Sequence, residues 1–353
     1  SMSDYSFRVT TISGSDITLT YVSDTMDSGD ADPIYMVDDD FVSQAPVVFQ
    51  RFYSTITLWE AALDSDAGGS GNDAVGECYN DSVFDEGFSI DDTTPDSIKL
   101  TVAAGEEHDG IAGTGARIVC TGTYTFEANS SVSTTIEKLE IDHNGQQSAS
   151  NGFLSGSETD KVNRILLHDL AHNGWIRQFR SVVSLSNTII YNTDNTAAYG
   201  GTYGIECGGC YTSNLERHNC TVWNTTSSNN TGPDAIGIRG ACSTGNTRSI
   251  KNCISINTGT NADADFSIDV THANTTVDYN MSADSSATGS NSITGVSDST
   301  QFVSTVNGSE DLHLKTGADA LRAGVDLGTT NGVNIDINGS DRDVLTATLW
   351  DMR

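Results

Sequence analysis

A parallel β-solenoid is the fold this sequence predicts, on three observations. The 353 residues hold 41 Ser, 42 Thr and 26 Asn, with only 17 Lys plus Arg against 48 Asp plus Glu. Such a chain is rich in small polar turns, and its apolar residues fall in short β-type runs. Only one short segment has a helical signature; elsewhere no 3.6-residue apolar period is sustained. From about residue 135, finally, the chain repeats itself. LEIDHN (139–144), HDLAHN (168–173), NTIIYN (187–192), NCTVWN (219–224) and NCISIN (252–257) align without gaps, each closing on Asn. Successive closing residues are 29, 19, 32 and 33 positions apart, with 27 more to Asp284 in a weaker copy, YNMSAD. Irregular periods of this size, with two or three short strands per repeat, are what stacked coils produce.

The elements follow in order. Residues 1–50 carry the runs FRVTTI (7–12), DITLTYV (16–22), PIYMV (33–37) and APVVF (45–49), which predict a strand-rich cap. Thr57 and Glu60 have capping-box spacing and predict a short helix over 58–64, capping the first coil. IKLTVAA (98–104) and ARIVCTG (116–122) resume strand character. The solenoid is expected over 51–300, in roughly eight to ten coils, with a tail over 301–353 closing its far end. Asn144, Asn173, Asn192, Asn224 and Asn257 should stack as an amide ladder, one strand spacing of about 4.8 Å apart. His143 and His172 would share the column before it, and Asp169 a column with Glu140, Thr188, Cys220 and Cys253. A second series, GFLSG (152–156), GWIRQ (174–178), YGIEC (203–207), IGIRG (236–240) and FSIDV (266–270), aligns Ile176, Ile205, Ile238 and Ile268. The next column then reads Ser155, Arg177, Glu206, Arg239 and Asp269, with alternating sign from Arg177 onward. That pattern suits an exposed cross-rung salt-bridge ladder or a charged groove.

The net charge of −31 excludes partners that are bound through clustered cations, namely nucleic acid and anionic membrane surfaces. No apolar run is long enough for a membrane helix, and the opening Ser1-Met2-Ser3-Asp4 shows no signal peptide. Residues 1–110 hold 23 acids and 3 bases, leaving 25 and 14 for the rest, so the body is far more balanced than the front. Cys207-Gly-Gly-Cys210 has the gap of a zinc pair, but no second pair completes a site. Cys220 and Cys253 fall in one column, where stacked free thiols fit better than a disulfide. No cofactor is required by any motif; calcium is the ion that suits the acidic loops Asp38-Asp39-Asp40, Asp91-Asp92 and Asp263-Ala-Asp265.

The tail carries a resemblance. Ala323-Gly324, the turn Asp336-Ile-Asn338-Gly339, Arg342 and Trp350-Asp351 follow the order found at the ends of right-handed parallel β-helix proteins of the pectin-lyase-like kind. The chain departs from that pattern at Leu321-Arg322. Such proteins include many from phage and environmental bacteria. The resemblance implies an all-β, single-stranded, right-handed parallel β-helix, in an extracellular or virion-associated setting. It also implies a groove on an outer strand face, where an arginine neutralises an acidic sugar while a neighbour moves a proton.

On that basis Asp169, Arg177, Glu206 and Arg239 are the catalytic candidates, with His168, Trp175, Arg180 and Asp269 as substrate-binding residues. A carboxylate pair drawn from Glu140, Asp142 and Asp169 would serve hydrolysis. Two function classes remain. One is a carbohydrate-active protein that binds, and as a lyase or glycoside hydrolase cleaves, an extended polysaccharide. The other is a non-catalytic phage or cell-surface adhesin that recognises a glycan as a rigid rod, as a homotrimer.

Overall fold

The computed structural model describes residues 5–13, 16–24, 53–63, 73–122, 126–128, 130–145, 151–155, 160–180, 182–197, 199–207, 215–228, 235–240, 247–257, 262–271, 274–342 and 349–352. The chain divides into two compact units, Ser1–Phe52 and Tyr53–Arg353. In the first, Tyr5–Ser13 and Asp16–Asp24 pair as an antiparallel hairpin. The runs at 33–37 and 45–49 lie outside the described residues.

The second unit winds three parallel sheets, and from Ser97 onward the chain visits them in the fixed order first, second, third. The first sheet has eight strands, from Asp73–Cys78 and Ser97–Val102 to Arg248–Lys251 and Thr275–Asp278. The second has seven, including Glu140–Asp142, Leu166–His172, Ile189–Asn195, Thr221–Thr226 and Ile254–Ile256. The third also has seven, including Phe88–Ile90, Phe126–Ala128, Asn151–Ser155, Ile176–Arg180, Thr202–Glu206, Ala235–Gly240 and Ala262–Ile268. Each strand bonds to its counterpart one coil away, which is the signature of a solenoid. No helix among the described residues is long and apolar enough to cross a membrane.

The interior column of the third sheet is aromatic at one end. Phe88, Phe126, Phe153 and Phe179 stand in register and are followed by Ile205, Ile238 and Phe266. The Phe153 and Phe179 rings are 5.7 Å apart, and Phe88 meets Phe126 edge-on at 5.3 Å. Gapless matching on isoleucine therefore mis-registers two rungs: Ile176 pairs with Thr202 and Ile268 with Gly240. The interior selects for apolar bulk, and phenylalanine satisfies it as well as isoleucine.

Two corners give the coil its shape. Between the first and second sheets one residue takes left-handed backbone in each turn: Lys138, Arg164, Asn187, Asn219, Asn252 and Tyr279. Asparagine tolerates this conformation, and here its amide is also used. Asn187 Nδ2 donates to Asn163 (2.8 Å), Asn219 Nδ2 to Asn187 (2.9 Å) and Asn252 Nδ2 to Asn219 (3.0 Å). A second ladder runs along the far edge of the second sheet, where Asn144, Asp169, Asn192 and Asn224 have positive φ. Asn224 Nδ2 donates to Asn192 and Asn192 Nδ2 to Asp169, both at 2.8 Å.

Asp169, not Asn173, occupies this corner, so HDLAHN sits four residues from the expected register. His168 pairs with Asp142 and Tyr191, while His172 pairs with Asn195 and shares no column with His143. Glu140 is opposite Leu166, so Asp169 does not join it. A carboxylate oxygen accepts the Asn192 amide as a carbonyl would, and motif matching on Asn alone misses this substitution. Asn257 leaves the ladder too: its Oδ1 accepts from Thr225 N and its Nδ2 donates to Ala264 O. Cys220 and Cys253 are buried and in no disulfide, as are Cys78, Cys120 and Cys207.

The helix runs Ile56–Ala62, one turn-fraction earlier than expected, because Thr55 is the cap; its hydroxyl accepts from Leu58 N at 3.0 Å. Thr57 instead bonds to Glu86, and Glu60 accepts from Asp91 N. Trp59 packs on Gly76 of the first solenoid strand, where a Cβ would lie 2.6 Å from the indole. The helix thus covers the opening coil.

The tail lies lengthwise along the solenoid, against the outer face of the second sheet. Leu166, Ile189, Tyr191, Trp223, Ile254 and Ile256 form one buried cluster with Phe302, Leu312, Ala320, Ile337 and Met352. The first Asn ladder holds it: the same amides donate to Gly332 O (3.0 Å), Val333 O (2.8 Å) and Val325 O (2.8 Å). The reason is apolar area. The outer face of the second sheet is too hydrophobic to be left in water. Asp336 folds its turn by accepting from Asn338 N and Ser340 N, and Arg342 Nη2 donates to Asn187.

Candidate functional site

The eight residues singled out in the sequence divide into two groups and one outlier. On the outer face of the third sheet, Arg180, Glu206 and Arg239 are in register. Arg177 lies three residues earlier, opposite Tyr203, so the column is not the one expected; Ser267, not Asp269, follows Arg239. Glu206 nevertheless gathers all three cations: Arg177 Nε at 2.7 Å, Arg239 Nη1 at 3.5 Å and Arg180 Nε at 3.8 Å. Its side chain is 10% exposed, against 21–38% for the arginines. Three guanidiniums on one carboxylate leave a local excess of two positive charges in a strongly acidic protein. Aromatic rings flank them. Arg239 lies 4.5 Å over Tyr203 and Arg177 5.7 Å over Trp175, and the two rings are 6.0 Å apart. Trp175 is 42% exposed and Tyr199, one coil on, 65%.

Asp269 stands apart. Its Oδ1 is taken by the amide and hydroxyl of Thr271 in an exposed turn.

His168 and Asp169 lie on the second sheet, in a network that the sequence hinted at through Glu140 and Asp142. Nδ1 of His168 is 3.0 Å from Asp169 and 3.7 Å from Asp142, and Nε2 is 3.2 Å from Glu140. Its ring stacks on Tyr191 at 4.9 Å. Burial works against a charged imidazole, but hydrogen bonds to Asp169 and Glu140 and the charge of Asp142 prevail, raising the pKa to about 9. The two outer carboxyls diverge. Burial raises Asp142 despite His168 nearby; Asp169, though half-buried, is lowered by the His168 and Asn192 bonds. Both open onto a groove of about 460 Å³ lined also by Asn144, Asn192, Asp194, Asn224 and Asn307. Asn307 comes from the tail, and no sequence signal placed it here.

Asp142, His168 and Asp169 each bring one donor atom within 4.8 Å of the others. Both His168 nitrogens already face carboxylates, so a cation would have to replace the imidazolium proton. Among the other acidic loops, Asp265 is 2% exposed, and burial lifts it to about 7 although Asn257 N, Ala283 N and Asp284 N donate to it. It organises a turn. Asp38–Asp40 and Cys210 lie outside the described residues.

These titrations predict a stability maximum near neutrality. His168 has a folded pKa above its unfolded value, so its contribution is complete below about pH 6.5 and is lost as pH rises through about 9. The loss is at most about 3 kcal/mol. His108, His143 and His218 are held neutral by burial, at about 4, 3 and 4, so stability falls as pH drops below about 6.5. Asp265 opposes them between about 4 and 7, one group against three. Urea midpoints across pH should show both flanks, and His168→Gln should flatten the alkaline one.

Comparisons with known protein families, with curated proteins and with solved structures return no match.

Proposed function

We propose that this protein binds an extended polysaccharide along the outer edge between its second and third sheets. One observation carries the reading: exposed Trp175 and Tyr199 stand beside the arginine cluster on Glu206, on a rigid face with strand-spaced rungs. Aromatic faces stack on sugar rings, and surplus guanidiniums recognise carboxylate or sulfate groups. The architecture is that of a parallel β-helix of pectin-lyase-like type. Its winding is right-handed, because crossovers between parallel strands of one sheet nearly always are.

Cleavage is a second reading, and the divergence of Asp142 and Asp169 in one open groove favours it. Asp142, whose carboxyl is raised by burial, would serve as acid, and Asp169, whose carboxyl is lowered, as base or nucleophile in hydrolysis. Glu206, by contrast, has its oxygens occupied by three arginines, at 2.7, 3.5 and 3.8 Å, rather than open to a substrate, which counts against a lyase base there. A purely adhesive protein, virion-borne or cell-surface, uses the same binding face without turnover.

The test is a panel of acidic and neutral polysaccharides, with and without calcium, read by retention, by uronate unsaturation and by reducing ends. Binding that falls at least tenfold in Trp175→Ala supports the proposal. Retention by no glycan, or undiminished retention in that variant, rejects it. Reducing ends that vanish in Asp169→Asn while binding persists establish hydrolysis.

A further inference from the structure

The solenoid interior contains a charge that no salt bridge among the described residues balances. Arg248 lies on the first sheet in the column Leu215, Arg248, Thr275, and is 2% exposed. Its Nη1 reaches only a backbone oxygen, Asp269 O, at 3.4 Å. Nε and Nη2 are buried and have no hydrogen-bond partner, and neither has the buried hydroxyl of Thr275, the next rung. Those two nitrogens form the edge of the guanidinium that grips an anion in a fork.

A second buried cation lies nearby. Arg217, 1% exposed, gives its terminal nitrogens to the carbonyls of Val182, Val183 and Glu216, while its Nε is unpaired. Both guanidiniums act on the thiol of Cys207, yet burial outweighs them and pushes that thiol up, so it does not ionise to balance them. No salt bridge reaches either arginine among the described residues. The stretches leading into these strands, 208–214, 241–246 and 272–273, contain no Asp or Glu. A guanidinium does not shed its proton in a protein, and an uncompensated charge in an apolar interior is strongly unfavourable.

We infer that the solenoid interior binds a small monovalent anion, of the halide class, in the fork of Arg248 Nε and Nη2 with the Thr275 hydroxyl as a further donor. The site lies inside the first sheet, apart from the glycan face, and does not depend on that reading. An enclosed position selects a small ion, and the coils would close over it as they stack.

The experiment is thermal unfolding of the full chain in sodium chloride, with ionic strength held constant by sodium methanesulfonate. Wild type should gain stability saturably with chloride, each tenfold rise above the dissociation constant multiplying the folded-to-unfolded ratio by up to tenfold. Arg248→Met should lose that dependence. Should that variant not fold, Thr275→Val is expected to need at least threefold more chloride for the same shift. In bromide-soaked crystals the anomalous peak should fall within hydrogen-bond distance of Arg248 Nε and Nη2. Absence of chloride dependence in wild type, or bromide only at the surface, overturns the inference. So does chloride dependence that appears only in Asp269→Asn, since the Asp269 carboxylate would then be the counter-ion.

Discussion

Phe179→Ala should destabilise the protein by about 3–5 kcal/mol, with the urea midpoint falling while the folded far-ultraviolet spectrum is retained. Phe179 is 1% exposed and in register with Phe153 on one side and Ile205 on the other. The ring cannot be replaced by collapse from either neighbour, because both are fixed by strand hydrogen bonds about 4.8 Å away. Deletion therefore leaves a cavity in addition to the lost transfer energy. Phe179→Leu, which keeps most of the volume, should cost less than about 1.5 kcal/mol. A small effect of the alanine change would mean that the interior column is not continuous through this rung.

Glu206→Gln is expected to cost about 3 kcal/mol, an effect of similar size from a different cause. The carboxylate is the shared counter-charge of Arg177, Arg180 and Arg239. Its loss leaves three guanidiniums facing one another around an amide with a single acceptor oxygen. Salt should recover part of the stability, since the arginines are partly exposed and their repulsion is screened. Arg180→Met, which removes the most distant and most exposed of the three, should change stability by less than about 1 kcal/mol. If Glu206→Gln melts like wild type at low salt, the arginines do not hold the carboxylate, and the geometric argument against it as a lyase base fails with it.

The repeats made the solenoid legible, because its inward and corner positions recur in kind. Asn187, Asn219 and Asn252 announce a corner that only a few residue types tolerate. Register was harder to read. Asp169 replaces Asn at one corner and Phe179 replaces Ile at one interior rung, and each exchange preserves the physics while breaking the letter match. The four-residue error at 168–173 follows from the first and the misplaced Arg177 from the second; Asp269 is misplaced because Phe266 stands for Ile in its own rung. Arg177 still reached Glu206 because its side chain is long enough to lean across. The groove was legible in Asp142, His168 and Asp169, but its fourth wall was not: Asn307 is 163 residues beyond Asn144, and no local pattern encodes that meeting.

The tail laid along the second sheet also orders events in time. Its bonds to the corner asparagines and to Arg164 span 73 to 173 residues of sequence, so each requires coils that have already stacked. During synthesis the coils emerge before the tail. Until residue 352 is made, Leu166, Ile189, Tyr191 and Trp223 face water as a strip that grows with every rung. Such a surface invites chaperones or other nascent copies. A chain stopped short near residue 300 would keep every coil and lose solubility, so docking of residues 302–352, rather than any step in coil formation, covers the strip.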